Sequence, residues 1–303
     1  MLHEQTNQQG MYHGIWLAWL TLMAQTPGSN EVPQPSYRVA AVGDLHCTKA
    51  SAGSFAPWLE GVSRNADVLL LCGDLTDYGL PEEAHVLVKE LSVVRVPVMA
   101  VLGNHDYESS QRDAVVDILR QGGVKLLAGE SHVVGDTGFV GTKGFAGGFG
   151  AYTLGPWGEP TTKRFVQEAI DEALLLEGGL ARLRTKRRVG VLHYSPIQAT
   201  VEGEPVAIHP FLGCSRLEEP LLRYPVDVVF HGHAHRGQPE GRTRNGVPVY
   251  NVAMPLLKRL YPEQPPYRVV DLNAMPLRDQ AELPQVAAPA RGSNPPPRVE
   301  LPA

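Results

Sequence analysis

Short apolar runs alternate with amphipathic stretches along most of the chain, and the two periods predict two kinds of element. Residues 37–42, 67–71 and 97–102 are short, largely apolar runs, the last with the β-branched content of a buried strand, so each predicts a strand. Helical spacing separates them. A helix around 54–64 turns Trp58, Leu59 and Val62 inward. The next begins at Pro81, carries Glu82 and Glu83 in its first turn, and buries Ala84, Leu87, Val88 and Leu91. A third, about 110–121, places Val115, Ile118 and Leu119 on one face. Strands joined by helical crossovers imply a parallel sheet, and the fold class is α/β.

The pattern changes after residue 123. Runs at 124–127, 132–134 and 138–140, separated by glycine-bearing turns, predict an antiparallel second sheet. A glycine-rich loop follows at 141–150, then a long helix at 162–184 that Gly178-Gly179 ends or kinks. Residues 188–192 predict another buried strand, and 194–215 an irregular Pro- and Gly-containing insertion that reads as a cap. An unstructured connection of that length inside a compact domain is usually functional. A short helix at 216–223 and strands at 226–230, 247–252 and 267–272 complete the expected domain, 37–275.

The chain ends read differently. Residues 1–36 form a leader whose apolar run, 14–24, is too short to span a bilayer. It has no Lys or Arg before Arg38 and no small-residue cleavage site, so it does not read as a secretory signal. Met23 is a candidate start. The Pro- and Ala-rich tail, 276–303, predicts disorder.

Composition adds limits. At 303 residues, 43% hydrophobic and 19% charged, the chain can bury a sizeable core. Its formal net charge of -5 gives no electrostatic case for nucleic acid, and the basic run 182–188 reads as a solvated helix end. Three cysteines, an odd count without paired spacing, suit a reducing compartment, and the expected location is the cytoplasm.

Metal-type residues close the buried strands. Gly43-Asp44-Leu45-His46 follows the first; residues two apart in extended chain point the same way, so one carboxylate and one imidazole can grip one ion. Gly73-Asp74-Leu75-Thr76-Asp77 follows the second, with Asp74 a natural bridging carboxylate. Gly103-Asn104-His105-Asp106 follows the third. Asn104 offers a carbonyl oxygen, His105 a proton at neutral pH, and Asp106 an acceptor that either fixes the imidazole tautomer or caps the helical sequence from Glu108. Strand 188–192 ends in His193, and strand 226–230 in His231-Gly232-His233-Ala234-His235. Each alone reads as a turn or a satisfied histidine. Five such strand ends do not, because buried charge destabilises unless it is paired.

In this order the motifs resemble the calcineurin-like metallophosphoesterase superfamily, in particular the bacterial branch that includes class III cyclic-nucleotide phosphodiesterases. The likeness runs from about residue 39 to 251. It implies a four-layer sandwich of two mixed β-sheets flanked by helices, with a dinuclear metal site at the strand C-terminal ends. One ion is assigned to Asp44, His46, Asp74 and His235, and the other to Asp74, Asn104, His193 and His233. His231 is left structural, and Asp77 a supporting or turn residue. His105 is the expected proton donor to the leaving oxygen, oriented by Asp106.

Nitrogen and oxygen ligands without thiolate suit two divalent ions such as Mn, Fe, Zn or Co, with Mn and Fe preferred. Two ions about 3.5–4 Å apart can bridge a hydroxide that attacks phosphorus directly. The expected activity is hydrolysis of a small phosphate ester, first a phosphodiester because Asp-x-His matches that branch. The alternatives are a phosphomonoesterase or a metal-binding scaffold without catalysis. No nucleic-acid or membrane partner is expected. Lys143 reads as a solvated turn lysine, His209 as a weak candidate for reaching the site from the cap, and Cys47 as a small buried filler. Tyr194 and Ser195 lie near the metals by connectivity, while His3, His13, His85 and His132 read as incidental.

Overall fold

A computed structural model describes residues 36–278. The expectations for the leader run 14–24, Met23, His3, His13 and the tail from 279 onward lie outside the described residues. Three parallel strands, β1 (Arg38–Val42), β2 (Val68–Cys72) and β3 (Val98–Val101), alternate with α1 (Ala56–Asn65), α2 (Pro81–Leu91) and α3 (Arg112–Gln121). β4 (Lys125–Leu126) then adds parallel to β3, so 124–127 extends the first sheet and does not open an antiparallel second one.

The second sheet starts with the antiparallel pair β5 (Ser131–Val134) and β6 (Thr137–Thr142). After α4 (Pro160–Arg182) come β7 (Arg187–Leu192), α5 (Glu218–Arg223), β8 (Val228–His231), β9 (Glu240–Arg242), β10 (Pro248–Asn251), α6 (Met254–Leu260) and β11 (Arg268–Asp271). The sheet orders are β11-β1-β2-β3-β4 and β5-β6-β7-β8-β10-β9. β6, β7, β8 and β10 run parallel, and only the edges β5, β9 and β11 are antiparallel, so both sheets are mixed. The sequence pattern had not shown β9 or α6, which are short and lack a clean period.

Side-chain alternation along the strands builds four layers. Ala40, Val42, Leu69, Leu71 and Ala100 face α1–α3 on one side. Val39, Ala41, Val68, Leu70, Met99 and Val101 face Phe139, Val189, Val191, Val228 and Phe230 of the second sheet. Val140, Leu192, Val229 and Val249 pack on α4 and α5. Phe139 and Phe230 are fully enclosed, each contributing about 1.5–3 kcal/mol of burial. α4 runs unbroken through Gly178-Gly179. A side chain at Gly179 would overlap Val140 and press on the Gly129 carbonyl, so this glycine lets the helix approach β6 closely instead of ending it.

Because the inner strands are parallel, their C-terminal ends lie on one edge of each sheet. The two edges are stitched together: Gly43 N–H donates to the Val252 carbonyl, and Met254 N–H to the Gly43 carbonyl. All five metal-type loops emerge there.

Candidate metal centre

Tight backbone geometry aims the site side chains inward. Among the described residues, five non-glycine positions have positive φ, and four of them are Asp44 (57°), His46 (45°), Asp74 (47°) and His233 (70°). Asp and His tolerate this left-handed region better than most side chains, but it still costs energy, and such residues cluster at functional sites. Two glycines give the room. A Cβ at Gly103 would overlap the Asp74 carboxylate, and one at Gly232 would overlap that of Asp44.

Three groups of ligand atoms converge: Asp44, His46 and His235; Asp74, His193 and His233; and His46, Asp74 and His105, each set within 4.8 Å of one another. Each of the first two holds three members of one ligand set that the family resemblance implies, and Asn104 Oδ1 lies 3.0 Å from His193 Nε2. The third brings His105 nearer to the ligands than the sequence reading required; its ring centroid lies 4.5 Å from that of His46.

Hydrogen bonds decide which nitrogens carry protons. His193 Nδ1 donates to the Cys72 carbonyl at 3.0 Å, so the neutral ring presents a bare Nε2. Burial lowers the His193 pKa and keeps it neutral. That lone pair faces Asn104 Oδ1 at 3.0 Å and Asp74 Oδ1 at 3.4 Å. His46 Nδ1 is held by Asp77 Oδ1 at 2.9 Å, while its buried Nε2 has no partner, 3.8 Å from Asp74 Oδ2. Convergent acceptors with no proton between them, and an orphaned imidazole nitrogen beside a carboxylate, fit a cation at each position.

The electrostatics agree. Asp44 and Asp74 are both buried. Burial, then the Asp44 charge, pushes Asp74 up to about 6. Burial acts the same way on Asp44, but the His235 hydrogen bond at 2.9 Å, together with the neighbouring imidazoles, outweighs it and holds Asp44 low. Two buried carboxylates of one site need positive charge to ionise together. Burial pushes His233 down to about 4, and its Nε2–H donates to the Phe211 carbonyl at 3.1 Å, which leaves Nδ1 free to bind an ion. Burial lowers the His105 pKa, but the Asp77 carbonyl and the charges of Asp74, Asp77 and Glu108 outweigh this and leave it raised.

Three expectations need correction, and one weak candidate falls away. Asp106 does not touch His105: it is fully buried and accepts from Leu75 N, Thr76 N, Thr76 Oγ1 and Gly103 N. His105 Nδ1 instead donates to the Asp77 main-chain carbonyl at 2.7 Å. The Asn104-His105 pair is not at a helix N-terminus either; His105–Tyr107 is a single 3₁₀ turn and α3 begins only at Arg112. Lys143 is not solvated. Its side chain is 9% exposed, its ammonium lies 3.4 Å from both Glu168 and Glu172, and it sits 4.7 Å from the Phe145 ring centroid. His209 turns away from the ligands to the Glu204 carbonyl, and the insertion reaches the site through Phe211 instead.

Other candidates fall where they were expected. Cys47 is a buried filler, Tyr194 packs on His233, and Ser195 turns its hydroxyl to the Ile197 carbonyl and Thr200. His85 is exposed and His132 half-buried on β5. Thr76, Thr200, Phe211 and Asn251 escaped the sequence reading. Asn251 Nδ2 donates to the Ala234 carbonyl at 2.7 Å and fixes the loop between His233 and His235. Only its position at the end of a buried strand could have drawn notice.

His231 has both nitrogens engaged, with the Gly232 carbonyl and with Thr200 Oγ1, each at 2.8 Å. Burial pushes it down to about 4, below the ordinary value near 6.5. The unfolded chain therefore binds the extra proton first, and stability falls as pH drops through that window. Between pH 7 and pH 5 the expected loss from this group is about 2 kcal/mol. Urea denaturation of the metal-free protein at the two pH values measures it, and His231→Gln is expected to flatten the dependence.

An α/β sandwich with paired Asp, Asn and His clusters at its strand ends defines a class of metal-dependent hydrolases. Residues 37–237 match the calcineurin-like phosphoesterase family, and the chain belongs to it. Among solved structures, it is similar to the phosphopantetheinyl hydrolase of Mycobacterium tuberculosis, at 18% identity and a TM-score of 0.59, over 78% of this chain and 96% of that one. It is also similar to a purple acid phosphatase from yellow lupin (Lupinus luteus) seeds, at 15% identity and a TM-score of 0.44, over 73% of this chain and 44% of that one. At 18% identity the first likeness shows a shared fold. No curated protein sequence matches the chain. Among the described residues no helix is long and apolar enough to cross a membrane.

Proposed function

We propose that this phosphoesterase hydrolyses a small phosphodiester with two divalent ions, Mn or Fe by preference. The observation that carries the reading is the pair of ligand clusters Asp44–His46–His235 and Asp74–His193–His233, with His105 within ligand distance of His46 in the first and Asp74 in the second. Asp74, within ligand distance of His46 as well as of His193 and His233, would serve both ions, and Asn104 would complete the second set. Divalent ions held there supply Lewis acidity and a water activated at neutral pH. His46 and His193 would bind through Nε2, their other nitrogens being fixed by Asp77 and Cys72.

His105 handles the proton. With Nδ1 donating to the Asp77 carbonyl, Nε2 is the atom that delivers a proton to the leaving ester oxygen. A diester is favoured over a monoester by the Asp-x-His motif and by charge: Lys143 is matched by Glu168 and Glu172 and so is not free to neutralise a second phosphate charge. The domain limits 37–275, with a cap at 194–215, and a cytoplasmic location belong to the same proposal. Nothing in the reading requires nucleic acid or a membrane.

The test compares Mn²⁺-loaded and chelator-treated protein on bis-aryl phosphodiester, aryl monoester, cyclic AMP and phospholipid headgroup diesters. Hydrolysis should vanish with the metal, return with Mn²⁺, and be faster on a diester than on the monoester. A higher monoester rate would make the protein a phosphomonoesterase. Full metal loading without turnover on any ester would leave a scaffold.

A further inference from the structure

Tyr194 is more tightly placed than its position next to His193 requires. Its ring centroid lies 4.4 Å from that of His233, 5.4 Å from His193 and 5.9 Å from Phe145, with Lys143 Nζ 5.7 Å away. The Lys143 carbonyl accepts from both His193 N and Tyr194 N at 3.0 Å, so ring, lysine and ligand histidine are fastened together. Lys143 Nζ is in turn held by the Gly144 carbonyl at 2.9 Å, Glu168 and Glu172.

Tyr194 is 7% exposed, yet among the described residues its hydroxyl has no hydrogen-bond partner. That is unlike the neighbouring buried hydroxyls of Ser195 and Thr200, which bond each other at 2.7 Å. Nor is this hydroxyl among the sealed buried atoms that lack partners, so the oxygen is the part of an otherwise buried residue that remains accessible to a hydrogen-bond partner from outside. Asp74, Asn104 Oδ1 and the bare nitrogens of His193 and His233 are acceptors. A phenol whose ring is packed on both histidines adds a donor beside them that is held in place before anything binds.

We infer that the Tyr194 hydroxyl is a substrate contact, donating a hydrogen bond to a phosphoryl oxygen of the ester bound on the His193–His233 side. The inference rests on the phosphoesterase reading. A donor already fixed in place loses little entropy on binding, and a hydrogen bond to a charged oxygen is among the stronger kinds.

Tyr194→Phe removes only the oxygen and keeps the ring on His233. The experiment measures binding of inorganic phosphate to the metal-loaded protein by calorimetry, alongside kcat/KM on a bis-aryl phosphodiester. The variant should bind phosphate about 10- to 100-fold more weakly and lose kcat/KM by a similar factor, with metal content and Tm unchanged. Phosphate binding equal to that of the unaltered protein overturns the inference, as does a drop that comes with lost metal. An unaltered protein that binds phosphate but hydrolyses no ester overturns the esterase reading while leaving this contact standing. One that binds no phosphate with both ions loaded overturns both.

Discussion

His105→Ala is expected to lower kcat by about 10²–10⁴-fold while both ions remain bound. The size follows from general acid catalysis by one positioned imidazole. Retention of metal follows from the ligand sets, which are complete without it: Asp44, His46 and His235 in one, Asp74, His193 and His233 in the other. Metal analysis of the purified variant matters as much as its rate, because His105 also lies within ligand distance of His46 and Asp74. Loss of one ion would make His105 a ligand, and normal turnover at full metal content would remove its catalytic role. A substrate with a more acidic leaving group should suffer less, since it needs less protonation. The orienting group to keep intact is the Asp77 main-chain carbonyl, which no side-chain substitution removes.

The second large effect is on stability. Asp106 accepts from three main-chain N–H groups and the Thr76 hydroxyl, at 2.6 to 3.2 Å, with no exposure of its own. It joins the loop after β2, which carries Asp74, to the loop after β3, which carries Asn104. Asp106→Ala would leave four donors, two of them on Thr76, without their acceptor in a closed interior. The expected loss is about 3–5 kcal/mol, read by urea denaturation. Asp106→Asn keeps the shape but turns an amide N–H₂ toward donors, so an intermediate loss is expected. Metal affinity should fall with stability, because both loops hold ligands. If Asp106→Ala instead kept full stability and only shifted the pH profile of kcat, the imidazole-orienting role would be restored.

These two variants separate residues that stand side by side in sequence and do different work. His105 and Asp106 both looked catalytic because a His-Asp pair suits imidazole orientation. The chain decides otherwise because of the 3₁₀ turn His105–Tyr107, in which adjacent side chains point apart. His105 then faces the ligands, half-buried, and Asp106 faces the interior between two loops. The same effect of distant chain applies to Lys143. Its glycine-rich surroundings suggested a solvated turn, but α4 brings Glu168 and Glu172 to it across more than twenty residues.

Sequence by itself determined the strand-and-helix alternation, the α/β class and the residue types that close each strand. Hydrophobic period and abrupt Gly-polar endings are local, so they can be read without knowing what packs against them. The family likeness added the order of the motifs and hence the ligand sets that the loops bring together. Tertiary structure alone decided the rest. It placed β4 in the first sheet, carried α4 through Gly178-Gly179, assigned Asp77 to His46, and left Phe211 and Tyr194 against His233. Each of those depends on contacts between segments far apart in the chain, where burial and hydrogen-bond satisfaction choose the partner and local pattern has no say.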